Sequence, residues 1–349
     1  MSISRQFCFT HSPGKEVYLF KLTNGKGTEA LISNYGGIIT SFKIRSANGS
    51  FNDIVLGFDK MEDYLNPDYL NNYPWMGCAI GRYANRIKNG IAEIDGKKYK
   101  LTQNKGNDQL HGGTEGFDKK IWEVVTAIDS VTPSLELRYI SPDGEEGFPG
   151  NLEVLLKFEL NDNDELSYEF NATTDKTTIV NLTHHSYFNL NNGKGTVEEH
   201  EIKIYSSQIL GQDEGLVVNG ELLQVSNSIF DFNEFRPIGK KWEDKEIYDQ
   251  SFVLDKNNNE LSLVAEARSA GSKTLLQVYS SEPVVHFYSG KWIPPVKAKS
   301  GNTYGACSGF CLETHIHPNA INIPGFPNTI LKRGEKYHHK TIYRVSELK

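Results

Sequence analysis

The sequence predicts an all-β protein, a large antiparallel β-sandwich formed as a single domain over residues 1–349. Many short strand-like segments recur at regular intervals, each bounded by Gly, Pro, Asn or Asp turn signals. The 31 Gly and 13 Pro supply the turns, while 17 Tyr and 18 Phe supply residues that suit a pleated, half-buried surface. Long amphipathic helices are absent, which removes the crossovers a parallel sheet requires.

In chain order, VYLFKL, EALISNYG with its Gly36-Gly37 break, and IITSFKI open the pattern. Asn48-Gly49 and Asp95-Gly96 read as hairpin turns, because both central positions of a type I′ turn need positive φ. The stretch from Lys60 to Tyr73 reads as loop with at most a helical turn. Gly77, Gly81 and Gly90 match neither the P-loop nor the dinucleotide fingerprint, so a phosphate cradle is set aside. SPDGEEGFPGN is dense turn chemistry between the strands SLELRYIS and LEVLLKFEL. ELSYEFNATT, TTIVNLTHHSYFNL, EEHEIKIYSSQIL and GLVVNGELLQV follow, with Asn219-Gly220 as a third hairpin turn. KEIYDQSFVL, LSLVAEARS, KTLLQVYSS, PVVHFYSG, GFCLETHIH and KYHHKTIYRVS complete the strands, and FNEFRPIGKKWEDKE is the best candidate for a short helix.

A formal net charge of −7 offers no basic field for nucleic acid, so a neutral small molecule is the better ligand class. The first residues lack the apolar core of a signal peptide, and no run approaches the roughly 18 apolar residues of a membrane span. Cys8, Cys78, Cys307 and Cys311 form no zinc-like CxxC pair and read as reduced thiols. A cytoplasmic protein without membrane or nucleic-acid partners, monomeric or weakly dimeric, is expected.

Two strands carry chemistry. In GFCLETHIHPN, alternation places Phe310, Leu312, Thr314 and Ile316 on one face and Cys311, Glu313, His315 and His317 on the other. A carboxylate beside imidazoles serves acid–base catalysis or a metal. In TTIVNLTHHSYFNL, alternation separates the adjacent histidines. His184 shares an apolar face with Val180, Leu182 and Phe188, whereas His185 shares a polar face with Asn181, Thr183, Tyr187 and Asn189. His184 therefore reads as a hydrogen-bonded core residue and His185 as the functional one. His286 and Tyr288 share a face of PVVHFYSG; Asp249 and His111 read singly as turn or loop caps. His338 and His339 read as solvent-facing, and His11 and His200 have no informative neighbours.

GRYANRI, LHGG, DGEEGFPG, NLTHHSYFNL, YDQSFVL, HFYSG and GFCLET occur in this order between Gly81 and Thr314. Together they resemble the aldose 1-epimerase, or galactose mutarotase, family across essentially the whole chain. The resemblance implies a β-sandwich that binds a free sugar on one sheet face without a cofactor. It implies Glu313 as general base and His185 as general acid, with Asn85, Arg86, His111 and Asp249 binding the sugar. Trp75, Tyr187, Phe287 and Tyr288 are the aromatics available to stack on the ring.

The sequence departs from the family pattern in four places. His184 stands where the family usually has Asn, and His286, expected as a further sugar-binding residue, where a Gln usually contacts the sugar. His315 replaces a Gln, and Asn319 an Asp. These changes leave the acid–base pair intact and bear on substrate preference. Three other readings are carried: a hexose-6-phosphate epimerase of the same fold, a metal-dependent hydrolase or lyase using Glu313, His315, His317 and His286, and a non-catalytic sugar-binding module.

Overall fold

Strict two-residue alternation builds the architecture. In Leu152–Leu160, Leu152, Val154, Leu156, Phe158 and Leu160 are buried while the residues between them are partly exposed. That pattern fits a strand with one face on a core and the other toward water. The computed structural model describes residues 1–45, 49–241, 248–257 and 260–348.

Three antiparallel sheets dominate. A nine-stranded sheet runs Glu123–Ile128, Ser134–Ser141, Leu152–Leu160, Glu165–Thr174, Tyr337–Glu347, Thr274–Ser280, Ser262–Ser269, Glu201–Ile204 and Arg236–Pro237. A six-stranded sheet runs Tyr187–Phe188, Phe310–His315, Val284–Tyr288, Asp249–Val253, Gln208–Gln212 and Val218–Gln224. The first 53 residues contribute a five-stranded sheet. One core cluster joins all three. It contains Phe20 and Phe42 of the five-stranded sheet, Leu156, Phe158 and Tyr343 of the nine-stranded one, and Phe287, Phe310 and Leu312 of the six-stranded one. The six-stranded sheet thus spends one face on the core and leaves the other for function. No helix among the described residues is long and apolar enough to cross a membrane.

The turn at Asp95-Gly96 forms as expected: Ile94 pairs with Lys97, and the two turn residues have φ of 51° and 74°. The strands flanking Asn48-Gly49 pair antiparallel, although Asn48 itself lies outside the described residues. Asn219-Gly220 is not a turn; both residues lie inside the Val218–Gln224 strand. The chain reverses earlier, where Asp213 Oδ1 accepts hydrogen bonds from the Gly215 and Val217 amides, both at 3.0 Å. An Asx cap has outcompeted the Asn-Gly signal.

TTIVNLTHHSYFNL is not one strand but three two-residue strands. They pair in turn with Ile330–Leu331, Ala79–Ile80 and the Phe310–His315 strand. The segment crosses between sheets, and Asn181 anchors the crossing by bonding both the amide and the carbonyl of Ile316, at 2.9 and 3.0 Å. In FNEFRPIGKKWEDKE the described residues form an edge strand at Arg236–Pro237 and a 3₁₀ turn at Ile238–Lys241; residues 242–246 lie outside the described residues. Pro237 lacks an amide hydrogen and suits a sheet edge.

A buried ion pair ties the N-terminal sheet to the rest. Lys299 Nζ lies 2.8 Å from Asp53 Oδ2 and donates to the Thr40 carbonyl at 2.7 Å. Asp53 also accepts from Ser41 Oγ at 2.7 Å and the Phe42 amide at 3.1 Å. Lys299→Ala would leave this carboxylate buried without its cation. Denaturant melts are expected to show a loss of about 3–5 kcal/mol, whereas an exposed pair such as Lys21–Glu29 should cost less than about 1 kcal/mol.

Candidate active site

Sheet register assembles the site. One row across the six-stranded sheet is Tyr187, Cys311, Tyr288 and Asp249. The next is Glu313, His286 and Ser251. Every second residue faces the same way, so both rows project from the face opposite the core. They floor a cleft of about 640 Å³ walled by Tyr73, Trp75, Asn85, Arg86, His111 and Trp292.

At its centre His185 Nε2 lies 3.4 Å from Glu313 Oε1, with both side chains almost wholly buried. Glu313 Oε2 has no hydrogen-bond partner. Burial pushes the Glu313 carboxyl well above its ordinary range; the charge of Asp249 pushes it further, and Arg86 opposes. Burial likewise lowers His185 to about 3, with the positive charges of His286 and His184 adding to the effect. Each effect disfavours the charged form in a dry site. The two shifts run in opposite directions, and both favour a neutral carboxyl on Glu313 beside a neutral imidazole on His185.

Asp249 is treated oppositely. Burial works to raise its pKa, but the hydrogen bond and charge of His286, with Arg86, bring it below the ordinary carboxylate value. The surroundings of the two carboxyls on one sheet face thus shift their proton affinities in opposite directions.

The walls are held just as specifically. The His111 amide donates to the Asn85 carbonyl at 3.0 Å, and the Asn85 amide donates to His111 Nδ1 at 3.3 Å. Because Nδ1 must accept, the ring proton sits on Nε2, and His111 becomes a fixed donor. Burial, together with the positive charges around it, keeps His111 neutral. Trp75, Asn85 and His111 all adopt left-handed backbone, with φ of 53°, 60° and 52°. Such conformations cost of order 1–3 kcal/mol each for residues other than glycine and cluster at functional sites. Arg86 is buried with Nε unpartnered. Its neighbour Arg82 is instead a structural post, bonded to Ser141 and to the Pro142 and Pro149 carbonyls.

The residues expected to act together, His185, Glu313, Asn85, Arg86, His111, Asp249 and His286, all line this cleft. His184 is the core histidine that alternation indicated; it bonds Ser186 Oγ at 3.0 Å and the Gly37 carbonyl at 3.1 Å. Trp75, Tyr187 and Tyr288 line the cleft, whereas Phe287 belongs to the core.

Four expectations change. His286 has both nitrogens engaged, Nε2 by Asp249 Oδ1 and Nδ1 by Ser251 Oγ, each at 2.9 Å, so it holds Asp249 in place. His317 packs on Phe326 and lines no part of the cleft. The metal-ligand set proposed from Glu313, His315, His317 and His286 does not converge; among the described residues, His111, His185 and Glu313 are the group whose ligand atoms lie within 4.8 Å of one another. His339 is fully buried beneath the site, and only His338 faces solvent, because the Tyr337–Glu347 strand alternates in and out there.

A buried imidazole–carboxyl pair on one face of an all-β sandwich, ringed by fixed donors and aromatics, defines the class: an acid–base site for a polyhydroxylated small molecule. The comparisons name the family. The family model described as aldose 1-epimerase matches residues 18–344, and the chain belongs to that family. It is 40% identical to the galactose mutarotase of Bos taurus over 319 residues, 90% of each chain. It is 32% identical to the aldose 1-epimerase of Escherichia coli K12, over 95% of this chain and 96% of that one. Among solved structures, an aldose epimerase homologue from C. elegans superposes with a TM-score of 0.87 at 28% identity, covering 99% of this chain and all of that one.

The buried titratable groups make stability depend on pH. His111, His184, His185, His200, His315, His317 and His339 all have folded values below 6.5. On acidification the unfolded chain takes up these protons before the native protein does, so stability falls as pH drops through this window. Glu313, Glu282 and Asp118 act in the opposite sense, since burial raises them and the native state keeps protons the unfolded chain releases. The histidines outnumber them. Thermal melts are expected to show Tm falling steadily from about pH 7 to about pH 5; a rising Tm would contradict the neutral, buried state of these rings.

Proposed function

We propose that the chain interconverts the α and β anomers of free aldoses such as D-galactose and D-glucose, with Glu313 and His185 passing a single proton between them. The observation that carries this reading is the buried pair at 3.4 Å, whose second carboxyl oxygen is unpartnered in the cleft. Membership of the aldose 1-epimerase family and the likeness to galactose mutarotases support the reaction class.

Opening a hemiacetal removes a proton from the C1 hydroxyl and delivers one to the ring oxygen; closing reverses both. A pair holding one proton supplies one acid and one base at every moment. In the form Glu313⁻/His185H⁺ the carboxylate takes the hydroxyl proton while the imidazolium gives its own to the ring oxygen. The pair then holds its proton on Glu313, ready for reclosure on either face of the rotated aldehyde. Each such group is typically worth about 10²–10⁴-fold. His111 Nε2–H and Arg86 are placed to donate to sugar oxygens, and ionised Asp249 to accept from hydroxyls.

Polarimetry of freshly dissolved α-D-galactose and α-D-glucose tests the proposal. Glu313→Gln, which keeps the shape but cannot ionise, is expected to lower kcat by about 10³-fold or more with the fold retained. His185→Asn should do likewise. If wild-type protein leaves the spontaneous rate unchanged for every common aldose, or acts only on glucose 6-phosphate, the free-sugar assignment fails. Activity abolished by a chelator and restored by a transition metal would make His111, His185 and Glu313 a metal site instead.

A further inference from the structure

The acid and the base stand on different segments, and both segments rest on one residue of the opposite sheet. His339, in the Tyr337–Glu347 strand, is fully buried between the sheets. Its Nδ1 lies 3.1 Å from the Leu182 carbonyl, three residues before His185. Its Nε2 lies 3.2 Å from Thr314 Oγ1, the residue after Glu313, and 2.8 Å from Thr341 Oγ1. A carbonyl only accepts, so Nδ1 carries the proton and Nε2 accepts from a threonine hydroxyl. Nδ1 is therefore committed to the Leu182 segment, and Nε2 to the hydroxyl pair of Thr314 and Thr341, which are themselves 2.6 Å apart.

The neighbours reinforce this bridge. Tyr337 Oη accepts from the Leu182 amide at 3.2 Å and donates to Glu282 Oε1 at 3.4 Å, so both polar groups of Leu182 are tied to the same strand. Thr314 Oγ1 also lies 2.6 Å from Thr341 Oγ1 and 3.3 Å from Tyr168 Oη. An apolar core would need none of this. Polar groups buried at depth are retained at a cost when apolar packing alone would serve.

We propose that His339 is a positioning residue, a neutral bridge from Leu182 to Thr314 that sets the separation of His185 and Glu313. The proposal rests on the assignment of those two residues as the acid–base pair. The cleft's sugar contacts are not touched by His339, so its loss should act on the chemical step and leave binding alone. A misplacement of about 1 Å can cost a catalytic constellation about 10²-fold.

His339→Phe keeps an aromatic ring but breaks both ends of the bridge; Thr314→Val is nearly isosteric and breaks one end; His339→Asn retains a donor toward Leu182. Steady-state polarimetry with galactose, alongside circular dichroism and thermal melts, is expected to give kcat lowered roughly 10–100-fold in the Phe and Val variants with KM little changed. Partial recovery of kcat is expected in the Asn variant. If His339→Phe does not fold, Thr314→Val decides alone. Wild-type kcat in folded Thr314→Val overturns the proposal, as does a parallel rise in KM. Glu313→Gln run in the same assay separates the two levels. If it remains active the acid–base assignment is at fault; if it is inactive while the bridge variants are normal, only the bridge is.

Discussion

Everything at this site depends on burying a carboxyl and an imidazole together, 3.4 Å apart, in a place where neither is easily charged. In water glutamate ionises at about pH 4.3 and histidine gives up its proton at about pH 6.5, so at neutral pH the two together would mostly hold no proton. Burial raises Glu313 and lowers His185. The two shifts run in opposite directions and favour one shared proton, whose titration belongs to the pair. That count matters more than which atom carries the proton, because anomerisation needs one donor and one acceptor in each direction. The implied roles of Glu313 as base and His185 as acid describe the ionic arrangement, while burial favours the neutral one. The two arrangements differ by one proton transfer across the pair.

The sandwich makes such burial possible. Phe310 and Leu312 face the core, so Glu313 projects from the other side of a strand that cannot tilt without disturbing the packing beneath it. The walls are fixed by a different device. Trp75, Asn85 and His111 occupy left-handed backbone, which a bulky tryptophan rarely adopts and asparagine tolerates, and reciprocal bonds between Asn85 and His111 hold two of them there. Strain of this kind persists only where the surroundings over-determine it. Here it aims His111 Nε2, with the Trp75 ring packed against the imidazole at a centroid distance of 4.8 Å.

Alternation made much of this legible from sequence alone. It separated His185 from His184 in TTIVNLTHHSYFNL even though that stretch is three short strands, because the chain keeps an extended backbone as it passes from sheet to sheet. It likewise put Glu313 opposite Leu312. Alternation failed where an isolated residue type was read without its strand's phase. Tyr337, His339, Thr341, Tyr343 and Val345 form an alternating set in KYHHKTIYRVS, and that period would have placed His339 inward with Tyr343. Asn219-Gly220 failed for another reason: Asp213, six residues earlier, caps a competing turn. The pairing of His286 with Asp249 and Ser251 joins neighbouring strands and leaves no mark in local sequence.

The unusual histidines follow from the same logic. An imidazole placed beside an acid–base pair is dangerous if it titrates near neutrality, since its charge would shift the pair's proton. His315 avoids this by burial, which lowers it to about 3, with the nearby His286 charge contributing. His286 takes another route. It is braced at both ring nitrogens, Nε2 against Asp249 Oδ1 and Nδ1 against Ser251 Oγ, each at 2.9 Å. A glutamine at 286 would offer one amide to the sugar or to Asp249, but not a rigid ring braced from behind by a serine. The imidazole at 286 therefore holds Asp249 from a ring fixed at both of its nitrogens.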